Sequence, residues 1–292
     1  MLTILSGSMV KGRRVDWGGV ILYLFLSCFA ILMVAPLVYL VSTAFKPLEE
    51  LFLFPPRFFV INPTLKNFND LLMITSASTV PFSRYIFNSL FITIASVSLG
   101  VVISAMAAYP LSKHQMPFRK QIFSMIILAL MFAPAVTQIP QYLVITKLGL
   151  MNTYWAMIVP GLAAPVFLFL TKQFLDQIPD ALLEAAKIDG AREWVIFWRI
   201  VMPMLKPALS TVVLLSFIST WNDPGPAMLF TTSESMKTLP YALSTISGGT
   251  GVIAQAGAGA AAALLTVIPS IVMFVISQRM VLETMAHSGI KD

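Results

Sequence analysis

Charged residues are scarce in this sequence. Only 11% of its 292 residues are Asp, Glu, Lys or Arg, while 58% are hydrophobic. Soluble domains carry about 25% charged residues. An ordinary soluble enzyme is therefore excluded, and so is a disordered chain. A polytopic membrane protein is the class that remains. Cysteine is scarcer still: Cys28 stands alone, which excludes an internal disulfide and a cysteine-based metal site. The two histidines, His114 and His287, both fall near loops, and His114 reads as a solvated residue. No nucleophile–base pair or metal cluster is visible, which argues against a membrane enzyme. No Gly-x-x-x-x-Gly-Lys-Ser/Thr run is present to cradle ATP phosphates. No acid sits in the middle of an apolar run, where ion-coupled carriers place carboxylates. The net charge is +6, but at this hydropathy the placement of the positive charges matters more than their sum, and nucleic acid is not an expected partner.

The chain is rich in long uncharged runs. They cover residues 18–45, 85–112, 121–146, 148–171, 207–222 and 238–278. A membrane helix takes about 20 mostly apolar residues. The last run opens on loop-like Ser247, Gly248, Gly249, Thr250 and Gly251, so its helix is expected from about Gln255. The expectation is an all-α bundle of six spans over residues 18–282, with a segment 1–17 before it and a tail 283–292 after it. The third and fourth runs, parted by Lys147, Gly149 and Asn152, read as a helical hairpin.

With the N-terminus inside, thirteen Lys and Arg fall in inside segments and six in outside ones. That bias predicts both termini to be cytoplasmic. Lys11, Arg13 and Arg14 resemble a signal n-region, but the apolar stretch after them is too long to be cleaved, so an uncleaved first helix is expected. The longest outside loop, 46–84, carries Pro47, Pro55, Pro56, Pro63 and Pro81 and a short amphipathic stretch at 65–74. Ser96, Gly100, Ser104 and Ala108 recur every fourth residue, and Gly257, Ala258 and Gly259 open the sixth span. Small residues at such spacing are expected as packing seams. Pro36, Pro134, Pro140, Pro160, Pro165 and Pro269 fall inside spans, where each removes a donor and can kink its helix.

The inside loop 172–206 differs from the rest of the chain. It holds five acids: Asp176, Asp180, Glu184, Asp189 and Glu193. Pro179 and Asp180 form a helix start, residues 181–188 a strong helix former, and Asp189 with Gly190 a stop and turn. A second amphipathic stretch carries Trp194, Phe197, Trp198 and Val201, is ended by Pro203, and Pro207 can start the fifth span. Two short helices at an angle are expected. An interfacial anchor accounts for the Trp-bearing half but not for the Ala-rich, acid-bearing half.

These residues resemble the signature loop of ABC importer permeases. Glu184, Ala185 and Ala186 are followed by Asp189, Gly190 and Ala191, and then by Ile200 and Pro203. The family pattern is Glu-Ala-Ala, three residues, Gly, nine residues, and Ile-x-Leu-Pro. Met202 replaces the usual Leu, a volume-conserving change. The likeness extends over nearly the whole chain. Trp221, Asn222 and Asp223, then Lys237 to Pro240, and the tail from Glu283 to Lys291 are similar to the maltose-type carbohydrate-uptake subfamily. The resemblance implies a type I permease fold with a cytoplasmic coupling helix seated in an ATPase subunit. Glu184 would pair with that subunit, Ala185 and Ala186 would keep the helix thin, and Gly190 would permit the angle between the two helices. The implied partners are a second, different permease, two ATPase subunits carrying ATP and Mg, and an extracytoplasmic solute-binding protein delivering a sugar. The chain itself would need no cofactor, catalyse nothing, and lie in the cell membrane among lipid.

Asn88, Gln138, Gln141, Tyr142, Trp221 and Asn222 are the candidate pathway residues, since sugars are held by hydrogen-bonding and aromatic side chains. Gln138 and Gln141 lie beside Pro134 and Pro140 and cost energy in lipid unless paired. Helix–helix hydrogen bonding is the plainer role for them. The resemblance also allows the companion permease to make most sugar contacts. Two alternatives stay open: an ion-coupled secondary carrier, separable by its independence of ATP, and an ABC importer of a non-sugar solute.

Overall fold

A computed structural model of the chain describes residues 17–76, 80–248 and 255–289. The cluster Lys11, Arg13 and Arg14, the loop-like residues 249–254 and the last three residues lie outside them. The described residues form helices and connecting turns, with no strand among them.

α1 (Trp17–Phe45) is followed by a loop bearing α2 (Leu48–Leu51) and α3 (Lys66–Ser76). α4 (Phe82–Lys113) is the longest helix that the rest of the fold covers. Next come α5 (Arg119–Leu130), α6 (Pro134–Lys147), α7 (Tyr154–Leu162) and α8 (Pro165–Leu175). The connecting segment holds α9 (Asp180–Ile188) and α10 (Glu193–Ile196), which passes through a π turn (Phe197–Val201) into α11 (Met202–Met204). α12 (Lys206–Asn222), α13 (Gly225–Phe230), α14 (Leu239–Gly248) and α15 (Ala256–Gly289) complete the chain.

Three helices, α1, α4 and α15, are long and apolar enough to cross a membrane unaided. Three bent helix pairs are each long and apolar enough, taken together, for one crossing: α5 and α6 meet at 109°, α7 and α8 at 42°, and the Glu193–Met204 stretch meets α12 at 76°. With each bent pair as one crossing the count is six, as the hydropathy predicts. The third apolar run is thus not a straight helix. Pro134 and Pro165 start new helices at their breaks, where the missing N–H costs nothing. Pro36, Pro110, Pro140, Pro160 and Pro269 remain inside helices. The expected hairpin turn lies between α6 and α7, with Gly149 at φ 67 and Asn152 at φ 59. The last helix does not stop at residue 282. It meets no breaker until Gly289, so most of the expected tail prolongs it.

Burial separates the long helices. Of the most apolar window of each, 44% is buried in α4, 11% in α15 and none in α1. α4 is therefore the central post, packed on α7, α8 and α12, while α1 presents its apolar surface outwards. The small-residue seams lie at close approaches. Gly100 of α4 faces the Gly161 carbonyl of α7, and a side chain at Gly257 would collide with the Asn67 amide. Leu71 of α3 packs among Ala258, Ala261 and Ala262. The described part of the loop before α4 is held by hydrogen bonds: Asn67 donates to the carbonyls of Ala44 (2.9 Å) and Lys46 (2.7 Å), and Glu50 accepts from the Ile61 and Asn62 amides.

Candidate functional site

α9 is short, and its sequence accounts for its ends. Asp180 stands in the first turn and Lys187 in the last, each favourable to the helix dipole. Gly190, at φ +80, closes it. Its N–H donates to Lys187 O (3.0 Å) and that of Ala191 to Ala186 O (2.9 Å), the paired bonds of a Schellman turn. Nothing lies within 4 Å of where a Cβ of Gly190 would stand, so backbone conformation and not space calls for glycine there. The two faces of α9 differ. Leu183 is buried, and Ala186 and Ala191 pack with it against a core of Ala105, Ala108, Tyr109 and Phe197. Glu184, Ala185 and Ile188 are exposed, Ile188 to 87%. Met202 N–H reaches back to Phe197 O in the π turn. Pro203 lies just beyond, within α11, so the helix continues through it to Met204. The real break is at Leu205.

The same end of α4 grips this segment on both sides. Before α9, the Ser112 hydroxyl donates to Asp176 (2.6 Å), while Lys113 donates to the Ile178 carbonyl (2.5 Å) and to Asp180 (2.7 Å). Lys172 completes the contacts of Asp176 at 2.5 Å. Burial alone would raise the Asp176 pKa, but the Lys172 and Ser112 hydrogen bonds outweigh it and hold the carboxyl below the usual value. After α9, Glu193 accepts from the Tyr109 hydroxyl (2.9 Å) and from Lys187 (2.7 Å), with His114 Nε2 at 3.4 Å. His114 is thus not a freely solvated residue: it packs on the Tyr109 ring and faces a carboxylate.

Towards the middle of the bundle lies a cavity of about 380 Å³. Ser89, Thr93 and Ser96 of α4 line one wall, Gln138 and Gln141 of α6 another, and Thr220, Trp221 and Asp223 a third. Asp223 is the one charged residue among the lining residues. The Ser96 hydroxyl is buried without a protein partner.

Beyond the cavity, at the other end of α4, the segment 224–239 folds into a cap. Asn88, wholly buried, donates to the Ser235 and Lys237 carbonyls (2.8 Å each) and accepts from the Tyr154 hydroxyl (2.8 Å). Ser89 accepts from the Leu239 amide (2.8 Å), and Asn152 accepts from the Thr232 and Ser233 amides. Lys237 is buried, donates to the Ala227 and Thr231 carbonyls, and lies over the Tyr241 ring. Burial lowers its pKa, opposed by the nearby Glu234 carboxylate.

Residues 100–285 match the family described as the binding-protein-dependent transport system inner membrane component. The chain belongs to that family. Among its relatives, the arabinooligosaccharides transport system permease protein AraQ of Halalkalibacterium halodurans is 29% identical over 90% of this chain and 92% of its own. The probable ABC transporter permease protein y4oR of Sinorhizobium fredii is 32% identical over 99% of this chain and the whole of its own. The fold is also that of a solved bacterial ABC transporter involved in import of the acidic polysaccharide alginate. There the TM-score is 0.75 at 24% identity, covering 90% of this chain and 95% of the other.

This permease is accordingly a multi-pass membrane protein of a transport system served by a binding protein. The structure sorts its candidate residues. Glu184 and Ala185 face outwards together, while Ala186 and Ala191 turn inwards to the core, and Asp189 and Gly190 form the turn between. Gln138, Gln141 and Trp221 border the cavity, although Trp221 also donates to the Thr266 carbonyl. Asn88 does not border it: its amide is used up by the cap. Asn222 bonds Ile218 O and Ser270, and exposed Tyr142 lies outside the lining. Sequence reasoning missed Tyr109 and gave His114, Lys237 and Asp223, which it named, no part in the site. A tyrosine, a lysine and an acid near the ends of apolar runs were the available signals, but each reads equally well as interfacial.

Proposed function

We propose that this permease is one of two different membrane subunits of an ATP-driven importer that takes up a carbohydrate, an oligosaccharide of the kind named for its relatives. Two ATPase subunits bind ATP and Mg on the cytoplasmic side, and an extracytoplasmic binding protein delivers the solute at the cap. Both termini are cytoplasmic. The chain catalyses no reaction: its work is to open the cavity alternately to the two sides. The observation that carries this reading is the outward face of α9. Glu184, Ala185 and Ile188 stand exposed on a helix whose opposite face is locked into the bundle. An exposed isoleucine and alanine beside one carboxylate suit insertion into a groove of another protein. The cavity supports a sugar substrate, since it offers hydroxyls, two amides and the Trp221 ring. With one carboxylate and no Lys, Arg or His among its lining residues, it suits a neutral solute better than an anion.

The deciding experiment is purification of the complex with its partner subunits, followed by ATPase measurements with a panel of oligosaccharides. Stimulation by a neutral sugar is expected. In the same preparation Glu184→Lys should shed the ATPase subunit, a loss of about fivefold to 150-fold in docking for a contact worth about 1–3 kcal/mol. Full retention and full turnover would remove the main support for α9 as the docking helix. Gln138→Leu and Gln141→Leu should impair uptake without affecting assembly, and normal uptake by both would return them to helix packing. For topology, an impermeant thiol reagent on intact cells should label Asn62→Cys and spare Lys187→Cys, and the reverse pattern would invert the orientation.

A further inference from the structure

Resting on the reading of α9 as the docking helix, the contacts around Glu193 assign it a further task. Glu193 opens α10, immediately after the Gly190 turn, and its carboxylate ties α10 to both α9 and the inner end of α4. Lys187 reaches it from the last turn of α9 at 2.7 Å, the Tyr109 hydroxyl from α4 at 2.9 Å, and His114, just past the end of α4, at 3.4 Å. The Tyr109 side chain is itself fixed, being buried and packed against Phe197 and His114. Lys113 makes the matching contact on the other side of α9, to Asp180. α9 is thus tied at both ends to one helix, and that helix runs unbroken to the cavity wall at Thr93 and the cap at Asn88.

We propose that Tyr109 and Glu193 are positioning residues for coupling. They clamp α9 to the inner end of α4, so that displacement of α9 is carried along α4 to the cavity and the cap. The mechanical basis is continuity. A 32-residue helix transmits an axial or tilting movement as a body, whereas α8 and α12 each meet the segment across a break or turn. The charged contacts leave Glu193 about half exposed, so they set an angle more than they add stability.

The test uses the whole complex with native Cys28 changed to Ser and Ser96→Cys placed on the cavity wall. The thiol is labelled with a small reagent, with and without MgATP trapped by orthovanadate. In the otherwise unchanged permease, trapping should alter the labelling rate about fivefold or more, the lower end of ordinary coupling energies. Tyr109→Phe and Glu193→Gln should each reduce that response to below about twofold, yet keep the ATPase subunit and its basal hydrolysis. The double variant should be no worse than Glu193→Gln alone, because the contact that Tyr109→Phe removes is one of the three that Glu193→Gln already weakens. A full response in both singles overturns the proposal, and so does loss of the ATPase subunit from either, since the contact would then serve assembly. The docking reading fails separately: no response to trapping in the unchanged permease, or full ATPase retention in Glu184→Lys, would sink that reading first.

Discussion

At the cap end of α4, Asn88 is wholly buried and bonds two backbone carbonyls and a tyrosine hydroxyl. At the α9 end the partners are carboxylates that water can reach, with Glu193 exposed to 48% and Asp180 to 72%. The two ends of one helix are held by different chemistry. A buried amide network has a single satisfied geometry, and breaking it strands polar groups away from water. Exposed ion pairs hold an angle but can be exchanged for water at little cost. The cap end is therefore built to move with α4 as one body, and the α9 end to be a joint.

The comparison is broken most severely at Asn88. Asn88→Leu takes the amide donor from the Ser235 and Lys237 carbonyls and the acceptor from the Tyr154 hydroxyl, leaving Ser235 and Tyr154 with only their Arg84 contacts, at about 1–3 kcal/mol for each group left short of a partner. A loss of about 3–5 kcal/mol is expected, seen as a large drop in melting temperature in detergent and in membrane yield. A variant within about 1 kcal/mol of the parent would show that the cap is not held as described.

Lys237→Met should cost less, about 1–2 kcal/mol, because two opposed terms meet there. The Thr231 carbonyl loses the ammonium and the Ala227 carbonyl keeps the Thr231 hydroxyl, but an ammonium no longer has to be buried. Chemical unfolding of the two variants side by side tests the order, and Lys237→Met as damaging as Asn88→Leu would contradict it.

At the joint, Gly190→Ala meets no neighbour, so only the left-handed backbone conformation is penalised, by about 1–2 kcal/mol. Faster hydrogen exchange confined to α9 and its turn is the expected sign. If exchange instead rises equally at the cap, the separation into joint and body is wrong.

The smallest effect concerns pH. Asp176 has a pKa below its usual 3.8. Its contribution is therefore fully present above that value and is lost only as the pH falls through the lower, folded value. Exchange across residues 172–180 should be flat, after correction for intrinsic rates, from neutral pH to about 5 and should rise only below about 4. An increase already between pH 7 and 5 would mean that another group controls this contact.

Much of the architecture could be read from local features. The six crossings follow from hydropathy, and the start of α15 at Ala256 follows from the glycine-rich run before it. The helix Asp180–Ile188 and its turn follow from Pro179, the alanines and Gly190. Each of these signals lies within a few residues of the structure it predicts. The breaks were only half legible: proline marks where a donor is missing, but the angle of 42° or 109° is set by what the two halves pack against.

The sequence by itself therefore determined that the chain lies in a membrane, where its helices run and where the α9 turn falls, because hydropathy, helix formation and a positive φ are properties of short segments. Only the tertiary structure decided what Asn88, Tyr109, Glu193 and Asp223 do. Asn88 meets Lys237 across 149 residues and Tyr109 meets Glu193 across 84, and such pairings leave no periodic trace in either segment. A polar residue near the end of an apolar run looks the same whether it will face lipid headgroups, a cavity or a buried carbonyl. The physical difference is the partner, and folding brings the partner from elsewhere in the chain.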